Sequence, residues 1–302
     1  SFLQSRMYHV GITCTNCHDS HTYRLIATGN KLCIRCHSKR RFNSATHTHH
    51  KLNTPAAKCV NCHMTGKDYM QVDFRRDHSF RIPRPDISVK YGTPNACNTC
   101  HSDKSANRAA LAIKKWYGNP GSKDHFFNFT QILAKASKEG SNAEPGLLQL
   151  VKDTAQPAIA RATAIWYLSR FPDIQSVAVI KNALHSGKGL IRISAVKALA
   201  NLSPSLRDPM LKPMIMDSIR AVRIAAAMGL AGLQKSGFPV AEWSAYDKVS
   251  KELEESFEVT QYFPAGQFNQ GEYYEKKKQW NKAVTAYQKA ITKNPHFNEA
   301  RL

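Results

Sequence analysis

Cys14-Thr15-Asn16-Cys17-His18 is the first of four Cys-x-x-Cys-His motifs in this chain of 302 residues. The other motifs begin at Cys33, Cys59 and Cys97, so the four copies contain all eight cysteines. Two thiols at this spacing can each form a thioether with one porphyrin vinyl group, and the His that follows then reaches the iron as an axial ligand. The pattern predicts four covalently attached haems of the c type.

The residues predicted to hold these haems follow from the motif. The cofactor-binding cysteines are Cys14, Cys17, Cys33, Cys36, Cys59, Cys62, Cys97 and Cys100. The proximal iron ligands are His18, His37, His63 and His101. All of them lie in the first third of the chain, which divides the sequence into a haem-bearing segment and a remainder without cysteine.

Zinc is the main alternative, because four Cys-x-x-Cys pairs could form two four-thiolate sites. A zinc site does not constrain the residue after the second cysteine. With 13 histidines among 302 residues, random placement puts His there all four times with a probability on the order of 10⁻⁶. The motif therefore favours haem over zinc, and a disulfide framework is disfavoured for the same reason.

The sixth iron position is predicted to hold a second histidine, because the haem segment is richer in His than chance placement gives. The predicted distal ligands are His9, His21, His47, His50 and His78. Met64 and Met70 are alternative donors, although such methionines more often fill gaps against a porphyrin face.

The surroundings of these histidines refine the prediction. His78 stands alone between the third and fourth motifs and is predicted to serve one of those two haems. His21 follows His18 by three residues, too close for its own haem, so we expect it to reach a neighbouring one. In the Thr46 to His50 cluster, His50 and then His47 are favoured as ligands, and His49 is expected to be exposed.

A formal net charge of +21 makes the chain strongly basic. Clustered Lys and Arg often neutralise nucleic acid phosphates. Four haems, however, bring propionates that add roughly −8 in total. We therefore expect the basic side chains to pair with propionates, and we expect no nucleic acid partner.

The sequence contains no run of 18 or more apolar residues, so no transmembrane segment is expected. It begins at Ser1 without a start methionine or a signal-type segment, which suggests a processed form or part of a larger protein. Because haem is normally attached covalently outside the cytoplasm, we expect a periplasmic or extracellular location, which includes the cell surface.

Local patterns predict few regular elements up to about Ala106, as expected where porphyrins replace an apolar core. Ser105 to Tyr117 is predicted to be a helix, with an N-cap at Ser102, Asp103 or Ser105 and an end at Gly118. Residues 118–124 are interpreted as a linker. His125, His185 and His296 are expected to be surface residues.

A 31-residue repeat follows, in which Arg161, Arg192 and Arg223 are each followed by Ala at +3 and Leu at +7. These offsets put Ala and Leu on one helix face. A further helix is predicted before each copy, around Leu147–Val151, Ile174–Leu184 and Met210–Met216. Such helix pairs resemble HEAT repeats, and an ordinary amphipathic bundle is the alternative.

The last 40 residues resemble a tetratricopeptide repeat running from Pro264 to Phe297. Its small, aromatic and helix-ending positions are Gly271, Tyr274, Ala283, Tyr287, Ala290 and Pro295. Gln267 departs from the large apolar residue that is usual near the start. A single unit cannot bury both faces of its helices, so it either caps the preceding repeats or is followed by more.

These patterns predict three domains and one fold class. The domains are a tetrahaem cytochrome c domain at 1–117, HEAT-like helical repeats at 125–240 and a TPR-like repeat, complete or truncated, at 241–302. The fold class is a mostly irregular haem-cored cytochrome c module followed by an all-α helical-repeat solenoid.

The haem segment resembles the multihaem cytochrome c superfamily in its four motifs, its Cys59 to Met64 stretch, its Thr46 to His50 cluster and the basic stretch through Arg75, Arg76 and His78. The resemblance implies stacked haems, bis-histidine ligation and electron transfer outside the cytoplasm. In family members that polymerise, the next subunit donates a ligand and an extracellular filament forms. The chain lacks the Cys-x-x-Cys-Lys motif that marks the catalytic haem of pentahaem nitrite reductases.

Three functional hypotheses follow. The leading one is an electron carrier that acts on redox partner proteins and self-associates or joins a larger multihaem complex through its helical repeats. The second is a reductase with one open haem, where Arg75, Arg76 or Arg81 attracts a small oxyanion. The third is a scaffold in which the repeats are the function and the haems connect it to a larger redox assembly.

Overall fold

The computed structural model describes residues 2–118, 129–171, 173–233 and 239–301. These residues are mostly helical and include one two-stranded sheet. The chain divides into two compact units, residues 1–138 with 155–160 and residues 139–154 with 161–302. His125 and nearly all of the predicted linker lie outside the described residues. Among the described helices, none has the length and apolar character needed to cross a membrane.

The first unit is built mainly from very short helices. Its α-helices are α1 Arg6–His9, α2 Asn30–Cys33, α3 Lys39–Phe42, α4 Ala45–Thr48, α5 Cys59–His63, α6 Pro85–Tyr91, α7 Ala106–Tyr117 and α8 Phe129–Glu139. Short 3-10 helices cover Phe2–Gln4, Cys14–Asn16, Pro55–Ala57 and Cys97–Thr99. Each of the four motifs therefore lies in or beside a single helical turn.

A β-hairpin lies in the haem segment, where no strands were predicted. Strand β1 (Gly66–Tyr69) pairs antiparallel with β2 (Asp73–Arg76). Met70 and Gln71 in the turn have positive φ angles of 50° and 66°. No turn signal marks these two residues, because Gly, Asn or Asp normally occupy such positions. The hairpin reverses the chain just before His78.

Helix α7 agrees closely with its prediction. The Ser105 side chain accepts a hydrogen bond from the Arg108 backbone N–H, as an N-cap does. Gly118, at the C-cap, has a φ of 82° that only glycine adopts easily. Both signals are local, which explains why the sequence located the helix correctly.

The second unit is a series of longer helices packed on one another. They are α9 Glu144–Lys152, α10 Ala158–Leu168, α11 Ile174–Ala183, α12 Gly189–Leu199, α13 Pro204–Leu211, α14 Arg220–Gly229, α15 Val240–Thr260, α16 Pro264–Lys276 and α17 Trp280–Lys293. Short 3-10 helices cover Gly140–Ala143, Lys212–Met216 and Asn298–Ala300. Helix α11 packs on α9 and α12, and α12, α14, α15, α16 and α17 each pack on the next in that order.

The repeated Ala and Leu positions are buried, as predicted. Ala164, Ala195, Ala226, Leu168, Leu199 and Leu230 are each at most 1% exposed. The helices predicted around Leu147–Val151 and Ile174–Leu184 are confirmed. The third segment, around Met210–Met216, is helical as well, although α13 ends at Leu211 and a 3-10 helix covers Lys212–Met216. Pro213 has no N–H with which to continue an α-helix.

The repeated arginines connect neighbouring parts of the second unit. Arg161 donates to the Val151 carbonyl, Arg192 makes two hydrogen bonds to Asp217, and Arg223 makes two to Glu252. Two nitrogens of Arg192 bind the two oxygens of Asp217, so the guanidinium fork matches the carboxylate and the contact is directional as well as electrostatic. At Arg223 a single nitrogen, Nη2, reaches both oxygens of Glu252.

Helices α16 and α17 form the hairpin expected for the last segment. A Cβ on Gly271 would lie 2.3 Å from the Tyr287 ring, so glycine permits the close approach of the two helices. Gln267, the departure from the repeat pattern, is buried, and its amide donates to the Gln261 carbonyl. The preceding long helix α15, which was not predicted, packs on α16.

Candidate haem-binding site

Each Cys-x-x-Cys-His motif forms a tight turn. In three motifs the backbone N–H of the His donates to the carbonyl of the first cysteine, from His18 to Cys14, His37 to Cys33 and His101 to Cys97. In the third motif the same five residues form α5. One turn therefore brings both thiols and the imidazole close together, as attachment of one porphyrin requires. All eight thiols are free and at least partly exposed.

Thiols of successive motifs are neighbours. Burial and the nearby Cys36 thiol raise the pKa of Cys17. Cys33 donates a hydrogen bond to Cys59, which lowers the pKa of the Cys59 thiol to about 7.

The third and fourth motifs are neighbours in the same way. Burial raises the pKa of the Cys62 thiol, and the nearby thiols of Cys97 and Cys100 raise it further. The first motif thus adjoins the second, the second adjoins the third and the third adjoins the fourth. The described residues contain no group of three or more His, Cys, Asp or Glu side chains arranged to hold a metal ion on their own.

Three of the motif histidines face a second histidine. The pairs are His18 with His78 at 6.4 Å between ring centres and 32° between ring planes, His63 with His47 at 6.1 Å and 11°, and His101 with His50 at 6.1 Å and 31°. With metal–imidazole bonds of about 2.0–2.1 Å and ring centres roughly 1.2 Å from the coordinating nitrogen, an iron between opposed rings sets the centres about 6.4 Å apart. The residues therefore fit a haem iron at each pair.

The backbone fixes which ring nitrogen is free in four of these six histidines. The Nδ1 atoms of His18, His50, His63 and His78 lie 2.8, 2.6, 2.9 and 3.0 Å from the carbonyls of Tyr23, Thr48, Arg81 and Arg76. A carbonyl only accepts, so Nδ1 carries the proton and Nε2 keeps its lone pair. This tautomer can bind iron through Nε2, and the carbonyl orients the ring.

His47 has an environment that keeps its imidazole neutral. Burial lowers its pKa, and the nearby His63, His49 and Arg41 lower it further. A neutral imidazole is the form that binds a metal. The Tyr117 hydroxyl donates to the His47 carbonyl, so α7 holds this segment in place.

The structure places the remaining predicted histidines differently. The His37 ring meets Phe42 edge-on at 5.8 Å, and within the described residues no second imidazole contacts it. His9 lies against the Tyr8 ring at 5.5 Å. His21 is exposed in a turn, where its backbone N–H donates to the Asp19 carboxylate. Ligand roles for His9 and His21 stay predictions.

Two sequence expectations about these histidines are wrong. His78 lies beside His18 of the first motif, with 6.4 Å between ring centres, rather than beside the histidine of the third or fourth motif. His49 is half-buried rather than exposed, because its ring stacks on Trp116 at 4.1 Å. Sequence reasoning also missed Trp116 and Tyr117, whose only signal was an aromatic pair at the end of a predicted helix.

One comparison with known proteins covers part of this site. A family model described as a doubled CXXCH motif matches residues 8–42, which contain the first two motifs. The match points to a protein similar to c-type cytochromes. The motifs indicate covalent binding of haem c, with electron transfer as the associated role. Searches of curated proteins and of solved structures found no match.

The surroundings of the second motif are strongly cationic. No acidic residue occurs between residues 20 and 67. The exposed cations Arg24, Lys31, Arg35, Lys39, Arg40 and Arg41 make no ion pair within the described part of the chain. This surface, which we call the cationic surface, attracts anions by its field.

Proposed function

We propose that this protein is an electron carrier with four covalently attached c-type haems, each bound through one of the Cys-x-x-Cys-His motifs. The observation that carries the proposal is the set of three opposed histidine pairs, each with the spacing that an iron between two imidazoles needs. Bis-histidine ligation fills both axial positions, which suits electron transfer better than substrate binding.

In this proposal the chain has defined tasks. The cysteines hold the porphyrins, and the histidines with their backbone carbonyls orient the ligands. A bound haem supplies an iron centre that gains and loses one electron. The neighbouring thiols of successive motifs support a chain of four closely packed haems in sequence order.

Location and partners are part of the same proposal. Because covalent haem attachment normally takes place outside the cytoplasm, the protein acts in the periplasm or at the cell exterior. Its helical repeats, of HEAT and TPR type, provide a surface for protein interaction or assembly, and a cytochrome filament is one such assembly. The repeated arginine contacts and the close α16–α17 packing at Gly271 support the repeat interpretation.

The haem count tests the first part of the proposal. The chain is expressed in a host that attaches c-type haem, and its intact mass is measured under denaturing conditions. We expect four haems, and three after Cys59→Ala with Cys62→Ala. The control Val60→Ala, between the same two cysteines, keeps all four. A colourless protein, or a mass without haem, contradicts the proposal.

Ligand binding separates an electron carrier from a reductase. For a carrier, the three irons between histidine pairs are low-spin in the reduced protein and bind neither carbon monoxide nor nitrite. The iron of the second motif, whose His37 meets no second imidazole among the described residues, is closed only when His9, His21 or another subunit supplies its sixth ligand. Stoichiometric binding and turnover of nitrite at one iron would favour the oxyanion reductase. Native mass spectrometry tests assembly, and a monodisperse monomer over a wide concentration range would remove the filament.

A further inference from the structure

One four-residue segment carries facing histidines for two different motifs. His47 lies opposite His63 of the third motif, and His50 lies opposite His101 of the fourth. Only Thr48 and His49 separate the two rings along the chain. Any change in the path of this segment therefore reaches both sites.

His49 is the residue at which the segment changes direction. Its backbone is left-handed, with φ 53° and ψ 24°, which is uncommon for a residue other than glycine. Its ring stacks nearly parallel on Trp116, with 4.1 Å between ring centres and 7° between planes. The His49 Nε2 atom is buried and has no hydrogen-bond partner among the described residues. The ring is thus held by stacking rather than by a hydrogen bond at that nitrogen.

Helix α7 joins this residue to the fourth motif. The helix begins five residues after His101 and ends with Trp116 and Tyr117. Tyr117 meets the His49 ring edge-on at 5.5 Å, and its hydroxyl donates to the His47 carbonyl. The Cys62 thiol of the third motif also contributes to the raised pKa of Tyr117, after burial. Helix α7 therefore starts beside the fourth motif and ends against the His47–His49 segment and the third motif.

We propose that His49 and Trp116 form a positioning element that sets the ring planes of His47 and His50 together, so that the haem sites of the third and fourth motifs are coupled. The inference rests on the proposed haem ligation. His49 binds no iron in this scheme. Its stack holds the left-handed turn, and the turn fixes the directions of the two ligands on either side.

Electron paramagnetic resonance of the oxidised protein tests the proposal, because the signal of a low-spin ferric haem depends on the angle between its two imidazole planes. Trp116→Ala removes the stacking partner. His49→Gly removes the ring and keeps a residue that tolerates positive φ. We expect two of the four haem signals to shift in each variant, together with the reduction potentials of those two haems. Trp116→Phe, which retains an aromatic face, restores both signals.

A matched control is Trp280→Ala, which removes an exposed tryptophan from α17 and should leave all four signals in place. Shifts confined to one signal, spread over all four or absent in both variants would overturn the inference. If Trp116→Ala does not fold, His49→Gly carries the test. A wild-type protein without covalently attached haem, or without low-spin signals from the three paired sites, would instead contradict the proposed function itself.

Discussion

At the scale of single residues, the backbone orients the predicted ligands. His18 and His78 face each other, and the Nδ1 atom of each is satisfied by a backbone carbonyl, at Tyr23 and Arg76. Since a carbonyl cannot donate, both rings are held in the tautomer whose Nε2 is free. The chain therefore fixes which nitrogen of each ring is free for the proposed iron before any haem is attached.

The His18–His78 pair yields a first prediction. In His78→Ala the proximal ligand and both cysteines of the first motif remain, so the protein should still carry four haems. One iron loses its sixth ligand, and the reduced variant should bind one carbon monoxide per chain more than the wild type does. Absorption difference spectra in the Soret region measure this binding.

His296→Ala is the matched control, since this histidine is exposed in the helical remainder of the chain. It should bind as much carbon monoxide as the wild type. A His78→Ala protein that retains four haems and binds no more carbon monoxide than the wild type would show that His78 is not an iron ligand.

At the scale of helices, the α16–α17 contact yields a second prediction. Gly271→Ala places a methyl group 2.3 Å from the Tyr287 ring, closer than any real contact, so the ring or the two helix backbones must shift. Overpacking of this kind costs about 1–3 kcal/mol, more than the gain in helix propensity of up to about 1 kcal/mol. Denaturant unfolding followed by circular dichroism should show lower stability.

Gly187→Ala is the control for this change. A Cβ at that position meets no atom within 4 Å, and the backbone does not have a positive φ. Its unfolding free energy should stay within about 0.5 kcal/mol of the wild type. Equal effects of the two substitutions would mean that the α16–α17 contact does not contribute to stability.

The Arg192–Asp217 contact yields a third prediction, which concerns pH. The Arg192 hydrogen bonds hold the pKa of Asp217 below its ordinary value of about 3.9. A lowered pKa in the folded state stabilises the protein above the unfolded-state pKa, and this stabilisation is lost as the pH falls through the folded-state pKa. Asp217→Asn should therefore cost about 1.5–3 kcal/mol at pH 7, and the difference from the wild type should shrink below about pH 4.

Thermal unfolding at several pH values measures this difference. Asp247→Asn serves as control, because Asp247 forms an exposed pair with Lys251 and such pairs contribute at most about 1 kcal/mol. A difference between Asp217→Asn and the wild type that does not change with pH would show that ionisation of Asp217 does not stabilise the fold.

The elements differ in how far the sequence could predict them. Helix α7 and the buried Ala195 and Leu199 followed from signals within a few residues, namely a cap, a glycine and a helical period. The hairpin at Met70 and Gln71 was missed because its turn has ordinary residues with positive φ. The partner of His78 was mispredicted because that choice depends on a contact across 60 residues, which no local pattern encodes.

At the scale of the whole molecule, the basic side chains differ in whether they form ion pairs with carboxylates. The formal charge is +21, yet several arginines of the helical remainder are paired with carboxylates, including Arg192 and Arg223. The cations of the cationic surface have no such partners among the described residues. Unpaired, exposed charges contribute most to the long-range field, and this field acts on the rate at which charged reactants arrive.

The cationic surface yields a fourth prediction. A triple variant with Lys31→Glu, Lys39→Glu and Arg40→Glu should slow oxidation of the reduced protein by hexacyanoferrate(III) by roughly 3- to 10-fold at low salt. Oxidation by the cationic hexaammineruthenium(III) should become faster. At about 1 M salt, where the Debye length is about 3 Å, both differences should vanish. Stopped-flow absorbance of the haem bands measures these rates.

A second triple variant distinguishes the effect of the cationic surface from the effect of the protein's net charge. Lys248→Glu, Lys289→Glu and Lys293→Glu alter the net charge by the same amount, at exposed lysines of α15 and α17 without ion pairs among the described residues. If anions reach the haems through the cationic surface, this variant slows hexacyanoferrate(III) far less than the first. Equal slowing by both variants would mean that net charge alone governs the encounter, and the cationic surface would then have no special place in electron exchange.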